Sequence, residues 1–225
     1  MKKTKTNKPY VVVISGNKRN GKNTVADYLH NAFTSCGYSV KQLAFADSLR
    51  QVSGRLLFLT PSSEWLNSKK DQRMPRLLFL ATGRDVLKFI GTIVRSIIPN
   101  YWTYKTIDSI EQCSQDIVIL TDCRFHNEHH KVLTRYEGMH IRVRNPDIEV
   151  SNDLTERLFD CLYTWTVSCR SYKRNLDSKV CLDSVLINND GNLGQLNDVC
   201  YDIAKLLTRR NFKSVSANSL FNVKE

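Results

Sequence analysis

The chain has 225 residues, 41% of them hydrophobic, and carries 33 lysines and arginines against 22 acidic residues, a formal net charge of +11. That length supports one α/β domain with a substantial core and is slightly short for two. No apolar run approaches a bilayer span, and the basic stretch Met1–Pro9 lacks the apolar centre of a signal peptide, so a cytoplasmic protein is expected.

The first element is a strand over 10–14, Tyr10-Val11-Val12-Val13-Ile14, followed by Gly16-Asn17-Lys18-Arg19-Asn20-Gly21-Lys22. A helix is predicted over 22–36, with Val25, Leu29, Ala32 and Phe33 as its apolar stripe and Gly37 as its stop. Tyr38 to Phe45 reads as a strand, and Leu49 to Leu59 as a helix. Pro61 to Arg73 is polar, a loop with a short helix. Arg84 to Ile98 is strongly amphipathic, with Val86, Phe89, Ile90, Ile93, Val94 and Ile97 expected to face inward, and Pro99 ends it.

Ile117-Val118-Ile119-Leu120-Thr121 has the continuous apolar character of a buried parallel strand and delivers Asp122 and Arg124 to its C-terminal end. A helix over 126–136 and a strand over 139–144 follow. The stretch 161–184 is a lid, an insertion or a surface loop, with Arg170, Lys173, Arg174 and Lys179 set among aromatics. Val185-Leu186-Ile187 is the last strand, Asn188-Asn189-Asp190-Gly191 a turn, and 193–207 the closing helix. The polar tail 208–225 and the basic 1–9 segment lie outside the domain, which spans 10–207. Strands alternate with helices, so the expected fold is α/β, a five-stranded parallel sheet flanked by helices, with ligands at the C-terminal ends of the strands.

The chemistry concentrates at 16–22. A strand, a glycine loop closed by lysine, and a helix make a phosphate-binding P-loop. Gly16 and Gly21 let the backbone turn its N–H groups inward, the helix adds its positive N-terminus, and Lys22 reaches the terminal phosphates of a nucleoside triphosphate. The residue after the lysine is usually Ser or Thr, whose hydroxyl binds magnesium. Here it is Asn23, followed by Thr24.

Other polar residues have two readings each. Asp122 either holds magnesium, directly or through water, or caps the next helix. Arg124 either contacts phosphate or pairs with Asp122 or Glu128. Arg95 either binds substrate or answers the helix dipole, and Trp102 either stacks on a base or plugs the core. Lys88 is a ligand contact or a solvated lysine, and Asp47 a ligand contact or a cap. Seven cysteines, an odd number with no Cys-x-x-Cys pair, fit reduced thiols. Cys123, His126, His129 and His130 cluster in sequence, but the spacing is weak for zinc. The basic charge suits an anionic partner, a nucleic acid or equally a site for two phosphorylated substrates; charge alone discriminates poorly, and with no recognised nucleic-acid module a nucleic-acid partner is not expected.

Five stretches together resemble the deoxynucleoside monophosphate kinases of bacteriophages and other large DNA viruses, over about Tyr10 to Leu207. They are Ser15-Gly16 through Lys22-Asn23-Thr24; Phe45-Ala46-Asp47-Ser48-Leu49; Arg84 through Thr92, continuing to Arg95 and Asn100-Tyr101-Trp102; Thr121-Asp122-Cys123-Arg124-Phe125-His126-Asn127-Glu128; and Ile187-Asn188-Asn189-Asp190-Gly191. The family usually has Asp where Asn23 stands, and Gln where Lys88 stands.

The resemblance implies a P-loop kinase fold and transfer of a phosphoryl group from ATP, with magnesium, to a deoxynucleoside monophosphate. Gly16, Asn17, Gly21, Lys22, Asn23, Thr24 and Asn188 would hold the donor. Asp47, Arg84, Lys88, Gly91, Thr92, Arg95 and Trp102 would form the acceptor site. Lys22, Arg84, Asp122 and Arg124 would act at the reaction centre, with Glu128 supporting them and Asp122 facing the metal. A homodimer is left open, and a viral enzyme would act in the cytoplasm of its host. The alternatives are an animal-type phosphomevalonate kinase, which shares the P-loop and a similar Asp-x-Arg motif, and a non-catalytic nucleotide-binding module with a basic surface.

Overall fold

The computed structural model describes residues 8–56, 82–148, 166–168, 184–190 and 192–209. The described residues form two compact units, one from those within 8–43 and 110–209 and the other from those within 44–109.

The larger unit is a parallel sheet of six strands in the order β2-β3-β1-β4-β6-β5. The strands are β1 (Tyr10–Gly16), β2 (Val40–Leu43), β3 (Ile117–Cys123), β4 (Gly138–Arg144), β5 (Thr166–Ser168) and β6 (Ser184–Asn188). All five expected strands are present. The sixth, β5, is a three-residue edge strand paired with β6, and it comes from the stretch 161–184 that the sequence left unassigned. The expected helix in 61–73 and the tails 1–7 and 210–225 lie outside the described residues.

β1 lies inside the sheet between β3 and β4, and both pairings are parallel. Val11, Val12, Val13 and Ile14 are fully buried because both faces of the strand are covered. One face packs Val12 and Ile14 with α1 (Lys22–Ser35) and α6 (Leu193–Arg209), through Val25, Leu29, Phe33, Leu196 and Cys200. On β4, His140 stacks against His129 of α5 (His126–Leu133). The strands that follow β1 lie on both sides of it, β2 and β3 on one and β4 to β6 on the other, so the C-terminal ends of β1, β3 and β4 come together where such sheets take their ligands.

α1 stops as expected. Gly37 adopts φ +87°, its N–H reaches Thr34 O at 2.9 Å, and the N–H of Tyr38 reaches Phe33 O at 3.1 Å, which satisfies the last carbonyls. The four described cysteines, Cys36, Cys113, Cys123 and Cys200, are in no disulfide. Among the described residues no helix is long and apolar enough to cross a membrane.

The second unit contains α2 (Phe45–Leu56), α3 (Gly83–Ile97) and most of α4 (Tyr101–Glu111). Residues 101–111 carry no clear helical pattern in the sequence, because aromatic and β-branched residues dilute it. α3 corrects a second expectation. Its buried side chains are Val86 and Leu87, with Gly91, whereas Phe89, Ile93 and Ile97 are exposed. The apolar stripe is wider than the face that its neighbours cover.

Candidate active site

The loop between β1 and α1 has the geometry that its glycines impose. Gly16 sits at φ +153°, and a Cβ there would lie 2.3 Å from Val143 O. Gly21, the N-cap of α1, is left-handed at φ +89°, and its Cβ would lie 2.4 Å from Asn189 Nδ2. Neither position accepts a side chain without moving its neighbours. Arg19 at the loop apex is also left-handed, at φ +69°. Lys22 folds back over the loop, its ammonium donating to the carbonyls of Gly16 and Asn17, each at 2.7 Å. A half-buried cation at the mouth of a glycine loop, beside the N-terminus of a helix, has the charge and the donors that suit a phosphate.

Asn17 and Asn20 are buried in the loop, whereas Lys18, Arg19 and Asn23 are exposed; Thr24 is half-buried in the first turn of α1. Asn188 closes the β6 ladder opposite Arg144 and Ser168. Its neighbour Asn189 is the residue that reaches the loop, donating from Nδ2 to Asn20 O at 3.0 Å. The turn signal at 188–191 marked the neighbourhood without distinguishing the two asparagines.

β3 brings Asp122 to the end of β1. Val13 pairs with Leu120, but Ser15 pairs with Cys123, so β3 holds one extra residue across that interval. This bulge falls at Thr121–Asp122, and bulges of this kind re-aim side chains at strand ends. Asp122 is half-buried there. Glu128, 3% exposed, accepts the backbone N–H groups of Arg124 at 2.9 Å and Phe125 at 3.1 Å through Oε2. It therefore ties the strand-to-helix turn and supports Asp122 and Arg124 through the backbone; the side chain of Arg124 is exposed.

Behind this turn His126, His129 and His130 pack together, with ring centroids 4.6 Å apart for His126–His129 and 5.8 Å for His126–His130. His129 stacks on His140 at 4.7 Å, and His140 shares a 2.8 Å hydrogen bond with Ser15 Oγ. Among the described residues no group of three or more His, Cys, Asp or Glu side chains is placed to hold a metal ion, and the histidines of this stretch make ring contacts with one another. Burial raises the Cys123 thiol well above its ordinary value, aided by Glu128 and Asp122.

Burial, with His126 and His130 nearby, lowers His129 to about 4. Burial, then His129, Arg142 and His126, lowers His140 well below its usual range. In an unfolded chain both rings titrate near their ordinary value of about 6.5. Below that pH the unfolded state takes up protons that the folded state refuses, so stability is complete above 6.5 and is lost as pH falls toward the folded values. Each ring held neutral contributes a slope of at most about 1.4 kcal/mol per pH unit, and less for the partly solvated His129. Thermal unfolding followed from pH 7.5 to 4.5 should show a falling Tm below about 6.5. His129→Gln should make that decline shallower; an unchanged profile would assign the acid sensitivity elsewhere.

The second unit explains several of the sequence candidates locally. Asp47 accepts the N–H of Ala44 at 2.8 Å and pairs with Arg50 at 2.7 Å, so it caps α2. Thr82 and Asp85 close a capping box at the start of α3, a pair that the sequence reading missed although the Thr-x-x-Asp spacing was visible. Arg84 is half-buried in that first turn, and Lys88 and Thr92 are exposed on the same helix. Gly91 allows close approach of α2, since a Cβ would lie 3.3 Å from Leu49 Cδ2. Its carbonyl receives long contacts from the Trp102 indole N–H at 3.4 Å and Arg95 Nη1 at 3.5 Å. Trp102 is 2% exposed and packs edge-on against Tyr101, so its ring is a core plug in this arrangement.

The fold and loop define the class: an α/β protein with a P-loop at the junction of a buried strand and its helix. No protein-family model matches the chain, and no curated protein matches it. Among solved structures it is similar to a sugar kinase from Janibacter sp., at 14% identity and a TM-score of 0.39, covering 94% of this chain and 98% of the other. It is also similar to a candidate kinase from Chloroflexus aurantiacus, at 14% identity and a TM-score of 0.41, covering 91% and 98%. Likeness of this degree says nothing of substrate.

Proposed function

We propose that the chain is an ATP-dependent kinase that converts deoxynucleoside monophosphates to diphosphates. The observation that carries this reading is the loop itself: two glycines that admit no side chain, and the Lys22 ammonium held at the loop by two carbonyls at 2.7 Å. A phosphate can take the place of those carbonyls as the partner of Lys22. Phosphoryl transfer needs positioning and charge neutralisation more than covalent chemistry, and this loop supplies both. Asp122, with Thr24 and Asn23, offers the oxygen donors that magnesium takes when most of its shell is phosphate and water. Magnesium would neutralise the charge on the transferring group. The acceptor's phosphate is assigned to Arg84, whose guanidinium fork matches it, with Lys88 one turn further along the same face.

A coupled assay of diphosphate formation tests this with the four deoxynucleoside monophosphates, their ribose counterparts and phosphomevalonate, each with ATP and magnesium. Turnover of phosphomevalonate alone would replace the proposed acceptor. ATP binding with no acceptor at all would favour the non-catalytic module, for which the net charge of +11 speaks; DNA binding at physiological salt would then be expected.

The same panel examines the acceptor residues. Arg84→Lys should raise the acceptor KM or lower turnover several-fold while ATP affinity stays within about twofold, because lysine is a point charge without the fork. Lys88→Gln should change the order of preference among monophosphates. If both variants behave like wild type with every acceptor, the acceptor site lies elsewhere.

A further inference from the structure

The phosphate loop is fastened from behind by residues that no motif marks. β4 runs parallel to β1 in the register Val11↔Gly138 to Gly16↔Val143, so its last residues lie level with the start of the loop. Three attachments leave this stretch. His140 bonds Ser15 Oγ. Arg142 Nη2 donates to Asn17 Oδ1 at 3.1 Å. The carbonyl of Val143 accepts Asn20 Nδ2 at 3.1 Å, and it is also the atom that the Cβ of a non-glycine residue at position 16 would strike. From β6, Asn189 fastens the carbonyl of Asn20.

Arg142 stands out in this set. It is 3% exposed, and burying a guanidinium is costly, so a well-packed apolar residue would serve a merely structural position at least as well. Its contact, Asn17, is 6% exposed and directly follows Gly16. The backbone carbonyl of Asn17 is one of the two that hold the Lys22 ammonium. A connected path therefore runs from Arg142 through the Asn17 side chain and backbone to Lys22. The same guanidinium places a positive charge behind a loop built to receive phosphate, in surroundings where salt screens it weakly.

We propose that Arg142 is a positioning residue that acts through Asn17 to set the conformation of the phosphate loop, and thereby governs nucleotide affinity. The part that concerns affinity rests on the ATP-binding reading above. The fastening can be read without any ligand.

The experiment uses the full chain as wild type, Arg142→Met, Arg142→Lys, Asn17→Ala and the double variant Arg142→Met with Asn17→Ala. Two measurements are made on each: the ATP dissociation constant by titration with magnesium present, and hydrogen exchange of the peptide covering 16–22 in ligand-free protein. Arg142→Met and Asn17→Ala should each weaken ATP binding by about tenfold or more, the range expected when a hydrogen bond to a charged group is lost. Each should also speed exchange in the loop peptide. The double variant should be little worse than either single, because both substitutions break one path. Arg142→Lys should recover part of the affinity.

Unchanged exchange in the folded Arg142→Met protein overturns the positioning role, whatever the affinity does. ATP affinity within about twofold of wild type, or losses that simply multiply in the double variant, overturns the control of affinity. If Arg142→Met does not fold, Asn17→Ala decides, since it leaves the arginine in place: wild-type exchange and affinity in that variant overturn the proposal. A wild type that binds no ATP overturns the kinase reading instead, and loop exchange still decides the positioning role.

Discussion

Lys22→Ala should yield a folded protein whose phosphoryl transfer is lower by a factor on the order of a hundred or more. The fold survives because the apolar residues of α1 that face the core, Val25, Leu29 and Phe33, are untouched, and because the lysine head bonds the loop carbonyls of Gly16 and Asn17. On the proposed kinase reading, the loss arises because the ammonium would lie where charge accumulates as the phosphoryl group moves. Circular dichroism and Tm establish folding, and the diphosphate-forming assay measures the loss. Turnover near that of wild type in a folded variant would remove the phosphate loop from the mechanism.

Asp122→Asn should be of comparable size and opposite in diagnosis. It removes one negative charge with almost no change of shape, at a half-buried position beside the end of β1. Turnover should fall by tens- to hundreds-fold, roughly the range in which loss of one preorganised electrostatic contact lies. The magnesium concentration needed for half-maximal rate should rise. Stability should change little, because Glu128 already takes the N–H groups of Arg124 and Phe125 that a capping Asp122 would serve. An unfolded variant, or one that keeps its specific activity, would make Asp122 a structural residue.

How far the sequence disclosed all this depended on the range of each interaction. The loop 16–22 was legible because strand, glycines, lysine and helix are consecutive, and their conformations are demanded locally. That strands and helices alternate followed from apolar runs interleaved with helical stripes, whereas which strand neighbours which, β2-β3-β1-β4-β6-β5, did not. β5 was hidden because three residues carry no periodicity. The exposure of Phe89, Ile93 and Ile97 was hidden for a different reason: a stripe says that a helix has an apolar face, not how much of it a neighbour covers. Arg142 and Asn189 lie 125 and 169 residues from their partners in the loop, so only tertiary structure connects them to it. Glu128 was marked as a supporting group, but its attachment to the backbone at 124–125 needed coordinates.

The place of β1 in the sheet also has a consequence in time. Its two neighbours, β3 and β4, begin at Ile117 and Gly138, over a hundred residues after β1 begins at Tyr10. At synthesis rates of about 5–20 residues per second, that strand waits roughly 6 to 26 seconds before both partners have been made. During that interval Val11, Val12, Val13 and Ile14 have no sheet to enter, and the pairing that finally encloses them closes loops of high contact order. A nascent chain stopped before β4 therefore exposes a valine-rich segment with unsatisfied backbone groups, the kind of surface that holding chaperones bind and that drives aggregation when they are absent.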